Sequence, residues 1–171
     1  DPAGRLAMAL VILGLGNDLL GDDGIGLLAA EALRGYEGPG VSIRTSVQAG
    51  LYLLESLQGF EDAIVVDSVL GDHPGTVREL RGSEFNEASV PSAHYVGLPE
   101  AMALARAAGL NVPRRLRIFG VEIDVSQQIG SAPSAVVVAC LPRVAAAVAR
   151  AAEEWGYVLR TPDTRGVLAN A

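Results

Sequence analysis

The stretch Leu13-Gly14-Leu15-Gly16-Asn17-Asp18-Leu19-Leu20-Gly21-Asp22-Asp23-Gly24-Ile25-Gly26 decides the fold. Residues 9–14, just before and into it, are continuously apolar and read as a strand buried on both faces. After Asp23, Ile25, Leu28, Ala29 and Leu33 fall on one side at spacings near 3.6, the mark of an amphipathic helix. The glycine- and acid-rich residues between them make the turn. The apolar run 6–15 follows Arg5 and has the hydropathy of a signal-peptide core, but it breaks into Gly14 and Gly16 without a small-residue cleavage site, so a strand is expected.

The same alternation continues down the chain. Residues 41–45 form a short second strand, Leu51, Leu54 and Leu57 a helical stripe, and Ala63, Ile64, Val65 and Val66 an interior strand that ends at Asp67. After the turn His73-Pro74-Gly75, Val77 and Leu80 alternate with polar residues as in a half-exposed edge strand. A polar stretch follows over residues 82–92. Pro99 suits the first turn of a helix carrying Met102, Leu104, Ala105 and Ala108, and Leu116, Ile118 and Val121 give a last strand that ends at residues 120–122. Residues 124–133 read as a loop, and a long helix runs to Trp155, kinked or restarted at Pro142. The expectation is an α/β fold: a single domain over residues 1–171, with a mostly parallel twisted sheet of about five strands and helices on both faces. Its core spans residues 9–158, and residues 161–171 are expected to be poorly ordered.

Composition narrows the function. Of 171 residues, 50% are hydrophobic and 19% charged, enough for one core without disorder. All 13 basic residues are Arg, so a Walker A lysine, Schiff-base chemistry and lysine general bases are excluded. A net charge of −7 disfavours nucleic acid and anionic membrane surfaces as partners. The apolar C-terminal segment is interrupted by Pro142, Arg143 and Arg150, so no membrane span is expected. The one cysteine, Cys140, forms no internal disulfide, which fits a reducing cytoplasm.

The opening turn invites a dinucleotide-binding reading and fails it. The third glycine of G-x-G-x-x-G falls at Leu19, and Asp18, Asp22 and Asp23 would repel a pyrophosphate at the helix entrance. Three carboxylates suit a cation better. The competing account is that Asp22 or Asp23 only caps the helix. Asp67 lies at the end of another strand on the same sheet edge, where α/β ligands gather; its purely structural account is a carboxylate held by backbone donors such as that of Ser68. Either histidine would complete an Asp/Asp/His site suited to zinc, nickel or iron. His94, after a polar loop and near a helix start, is the better candidate, because His73 belongs to an exposed turn. No G-x-S-x-G or H-E-x-x-H motif is present, and Cys140 sits in an apolar run that fits it for packing rather than nucleophilic attack.

Together, residues 12–26, residues 64–67 with His73-Pro74-Gly75-Thr76-Val77, the stretch from Ser92-Ala93-His94 to Ala108, and Phe119-Gly120-Val121-Glu122 resemble blocks found in the same order in the hydrogenase maturation proteases. The resemblance covers about residues 10–150 and implies a single α/β domain. It further implies a soluble cytoplasmic endopeptidase, aspartic-type-like in relying on carboxylates, that removes a C-terminal extension from the large-subunit precursor of a nickel-iron hydrogenase. By resemblance, the metal-contacting and catalytic residues are Asp23, Asp67 and His94. The nickel would come with the substrate, with zinc or cadmium as surrogates, and the water would be activated by the metal or a neighbouring carboxylate. The chain departs from the family at Thr45-Ser46-Val47-Gln48, where an Asp-Gly-Gly-Thr-like segment is common, and at Ile123, where Pro is common. These departures bear on substrate choice. The alternative function is a non-catalytic module that senses or carries nickel in hydrogenase assembly.

Overall fold

All six residues of strand β1 (Leu10–Leu15) are buried, because the strand has neighbours on both sides and helices on both faces. The computed structural model describes residues 9–80 and 98–160. Within them the sheet also contains β2 (Val41–Ser46), β3 (Asp62–Leu70), β4 (Val77–Leu80) and β5 (Arg115–Ile123), in the order β2-β1-β3-β5-β4. Every pairing is parallel except β4 with β5, so β4 is the antiparallel edge that its half-exposed pattern predicts. The α/β expectation, with five strands and a mostly parallel sheet, is borne out.

Side-chain alternation divides the core. Leu10, Ile12, Ile64, Val66, Phe119 and Val121 face helix α1 (Ile25–Leu33) and the C-terminal helices α4 (Ala135–Val138) and α5 (Leu141–Glu154). Val11, Leu13, Val65 and Ile118 face α2 (Leu53–Leu57) and α3 (Leu98–Ala107) on the other side. Each fully buried aliphatic contributes about 1.5–3 kcal/mol. The C-terminal helix restarts where Pro142 predicts: α4 ends at Val138, Cys140 precedes α5, and Pro142 occupies the first turn of α5, where a missing N–H costs nothing.

Contrary to the sequence reading, the helical stretch Ala135–Glu154 is long and apolar enough, by length and composition, to cross a membrane. The apolar side of α5, with Val144, Val148, Ala151 and Ala152, packs instead into the core. Val137 and Cys140 join the same cluster, and burial pushes the Cys140 thiol up, as its apolar surroundings predict.

A second difference concerns β3. The carboxylate of Asp67 reads as a strand end, yet β3 continues to Leu70, because Ser68, Val69 and Leu70 go on pairing with Val121, Glu122 and Ile123 of β5. Only the β1 side stops there, with Gly14 opposite Val66. His94, the polar stretch 82–92 and the tail from residue 161 lie outside the described residues.

At the amino edge of the sheet, buried Asp62 receives two hydrogen bonds from Arg115, at 2.7 and 2.5 Å, and one from the Tyr157 hydroxyl at 2.5 Å. The Arg115 guanidinium also lies 4.8 Å from the centre of the Trp155 ring. The chain beyond α5 is thereby fastened to the starts of β3 and β5.

Candidate active site

Two glycines set how α1 approaches the sheet. A methyl group at Gly26 would stand 2.0 Å from the carbonyl oxygen of Leu15 and 2.4 Å from that of Val66, and one at Gly14 would stand 2.0 Å from the carbonyl oxygen of Gly26. Their bare backbones let the first turn of α1 lie directly on β1 and β3. A short 3-10 turn, Gly21–Gly24, leads into α1 and carries Asp22 and Asp23 at the carboxyl edge of β1.

Neither carboxylate caps that turn or α1; no side-chain cap bond is made at either N-cap. Asp23 instead accepts a short hydrogen bond from the Ser68 hydroxyl. The Ser68 backbone N–H donates to Oδ1 of Asp67 at 2.8 Å. One residue, itself buried, thus links the two predicted acids, Asp23 half-buried and Asp67 with no exposed surface. The backbone bond is the one that the structural account of Asp67 requires; the hydroxyl bond to Asp23 has no counterpart in the sequence reading. A carboxylate so completely buried persists only when its oxygens are engaged.

Asp67 shares a face with Ala63, Val65 and Val69, the side covered by α3. The chain after α3 reaches the amino edge, where the Gly59 N–H donates to the Asn111 carbonyl and the Arg114 N–H to that of Glu61. The Leu98 end of α3 therefore points to the carboxyl edge, on the Asp67 face. His94 precedes that end in sequence and lies outside the described residues; among these, no three His, Cys, Asp or Glu side chains form a metal-holding group. His73 is exposed in the β3–β4 turn, as predicted, with its backbone N–H donating to Glu122 Oε2 at 3.1 Å.

Beside this edge runs an open groove of about 700 Å³, bordered by Leu27, Leu28 and Glu31 of α1 and by Thr45, Val47 and Gln48. Sequence reasoning missed a further element. Asp22, 8% exposed, does not join Asp23 but turns to Ser134, 112 residues away, and no local pattern signals such a contact.

The family profile described as hydrogenase maturation protease (HycI) matches residues 43–152. The chain is 36% identical over 160 residues to the hydrogenase expression/formation protein HupM of Azotobacter chroococcum, covering 90% of this chain and 75% of that one. It is 31% identical to the hydrogenase 2 maturation protease of Escherichia coli, covering 82% and 91%. Among solved structures, the hydrogenase maturating endopeptidase HybD of E. coli is similar with a TM-score of 0.73 at 28% identity, over 88% of this chain and 96% of that one. The [NiFe] hydrogenase maturation protease HybD of Thermococcus kodakarensis matches at 29% identity and a TM-score of 0.60, over 84% and 99%. The chain therefore belongs to the hydrogenase maturation protease family and is a peptidase that acts in hydrogenase processing.

Proposed function

We propose that the protein removes a C-terminal extension from the large-subunit precursor of a nickel-iron hydrogenase, and that it recognises the nickel already inserted there. Asp23, Asp67 and His94 meet that nickel, which is part of the substrate. Two carboxylates and an imidazole are a donor set that suits it. The observation that carries this reading is the linkage of Asp23 and buried Asp67 through Ser68 at the carboxyl edge. Carboxylates pre-set by the fold meet a cation without reorganising, and the bound metal then orients the scissile peptide and the attacking water.

The groove beside α1 supports a polypeptide substrate, having room for an extended segment in contact with Thr45, Val47 and Gln48. Membership in a peptidase family favours this reading over a non-catalytic nickel carrier. The test is mass spectrometry of hydrogenase precursor, nickel-loaded and nickel-free, incubated with the parent protein and with Asp23→Asn, Asp67→Asn and His94→Ala. Shortening of the loaded precursor by the parent alone is the expected result. Equal cleavage of the nickel-free precursor, or parental rates in the variants, would refute the proposal.

A further inference from the structure

Asp22 and Asp23 are consecutive, yet their carboxylates are anchored in opposite directions. Asp23 is held to β3 by the Ser68 hydroxyl, whereas both oxygens of Asp22 are taken up by Ser134. Oδ1 accepts the Ser134 backbone N–H at 2.5 Å and Oδ2 the Ser134 hydroxyl at 3.0 Å. The Asp22 backbone N–H donates in turn to Gln127 Oε1 at 2.9 Å, and the Gln127 amide nitrogen donates to the Asp124 carbonyl at 2.9 Å. One turn earlier, the Gly130 N–H donates to the Leu19 carbonyl at 2.7 Å. The loop between β5 and α4 thus grips the loop between β1 and α1 at three places.

Otherwise the turn is held by the Ser68 hydroxyl on Asp23 and by backbone bonds from the Asn17 N–H to the Asp23 carbonyl and from the Asp23 N–H to the Leu20 carbonyl. It is one 3-10 turn with no side-chain cap, entered through Gly21 in the left-handed region at φ 54°. The charge-assisted bonds from Ser134 to the nearly buried Asp22 carboxylate are its strong tie to the loop between β5 and α4.

We infer that Asp22 is a positioning residue: through Ser134 and Gln127 it locks the turn that carries Asp23, and so sets where the Asp23 carboxylate is presented. The inference rests on the reading of Asp23 as a contact to the substrate's metal. Asp22 acts through the turn rather than at the substrate's metal, because its carboxylate turns away from the Asp23–Ser68 pair and toward Ser134.

The substitutions separate geometry from charge. Asp22→Asn removes the charge but keeps both contacts, its carbonyl accepting from the Ser134 N–H and its amide donating to the Ser134 hydroxyl. Asp22→Ala removes both. Ser134→Pro deletes both donors from the other side at φ −68°, a value proline itself prefers. Turnover on nickel-loaded precursor is read by mass spectrometry, folding by circular dichroism, and zinc affinity of the protein alone by calorimetry. Asp22→Ala and Ser134→Pro should each lower turnover at least about tenfold, weaken zinc binding, and add nothing when combined. Asp22→Asn should stay within about threefold of the parent, since its contacts survive.

Parental turnover and zinc affinity in folded Asp22→Ala would overturn the inference, and so would an equal loss in Asp22→Asn, which would make charge the cause. If Asp22→Ala fails to fold, Gln127→Ala decides: it breaks the bond to the Asp22 N–H and an exposed bond within its own loop to the Asp124 carbonyl, leaving Asp22–Ser134 intact, and turnover must fall in the folded variant, or the inference is overturned. Asp23→Asn serves as the reference. Inactive Asp23→Asn beside fully active Asp22→Ala sinks the inference and leaves the site reading intact, whereas active Asp23→Asn sinks the site reading. A loss in Asp22→Ala with none in Asp23→Asn overturns the inference as well, because Asp22 would then act through something other than Asp23.

Discussion

Gly26→Ala tests whether close packing of α1 on the sheet is what delivers Asp23. The added methyl would stand 2.0 Å from the Leu15 carbonyl oxygen and 2.4 Å from that of Val66, both backbone atoms that cannot rotate away. Relief even to 3.0 Å, the closest approach such atoms tolerate, requires the start of α1 to rise by about 1 Å, a gap that forfeits a quarter to a half of the dispersion energy along its contact. Overpacking of this kind costs about 3 kcal/mol at the upper end of its range. The better helix propensity of Ala returns about 1 kcal/mol. The net loss of about 2 kcal/mol corresponds to a melting temperature lower by roughly 4–8 °C in a domain of this size. Asp23 lies three residues before Gly26, and a displacement near 1 Å should reduce turnover by about 10²-fold. Gly24→Ala is the control, because the nearest atoms to its methyl, at 3.6 Å, are in ordinary contact; it should change stability by no more than about 0.5 kcal/mol. Scanning calorimetry and precursor cleavage measure both quantities. A Gly26→Ala protein that melts and cleaves like the parent would refute the packing argument.

Asp67→Asn, which keeps side-chain volume but removes a charge, should weaken zinc binding at least about tenfold; parental affinity by calorimetry would make Asp67 a structural carboxylate only. Cys140→Ala should cost about 1 kcal/mol of stability, from the small void left in the buried cluster it shares with Phe119 and Val144, and leave cleavage untouched. Inactivity of a folded Cys140→Ala protein would restore thiol chemistry. The Arg115 hydrogen bond, opposed by burial and joined by the Tyr157 hydroxyl, holds Asp62 below the ordinary carboxylate value. A folded value below the unfolded one means that the stabilisation is complete above the unfolded value, near ~4, and is lost as pH falls through the folded value. The stability gap between parent and Asp62→Asn in urea unfolding should therefore be constant from about pH 5 to 7 and shrink below about pH 4; a gap that does not change with pH would contradict this.

Strand positions were legible in the sequence because period and apolar runs are local properties: Leu10, Ile12, Ile64 and Val66 alternate with Val11, Leu13, Ala63 and Val65 as two packed faces require. The end of β3 was not, since Asp67 looks like a break until β5 supplies a neighbour, with Gly120 opposite it. The nucleotide-binding reading of the first turn was excluded in the sequence itself, by Leu19 at the third glycine position and by the carboxylates. What the glycines do instead was not legible, because only the clash of a methyl at Gly14 or Gly26 with backbone oxygens shows them to be a helix seat. For Asp22 the local rule predicts a cap, and a partner 112 residues distant defeats any local rule. That Asp23 and Asp67 share one sheet edge was expected because each follows a strand, though the serine that links them was not.

The clasp of Asp62, Arg115 and Tyr157 lies at one end of β3 and Asp67 five residues along the same strand, a separation of roughly 16 Å at the usual rise per residue. Contacts that far apart, with no shared partner, change free energy independently. The domain can accordingly gain or lose robustness at its amino edge, by trading charges around Asp62 or rings around Trp155, while the chemistry at the opposite edge responds to neither. Thermal tolerance and turnover become separately adjustable quantities in this chain, and variants selected for one should combine additively with variants selected for the other.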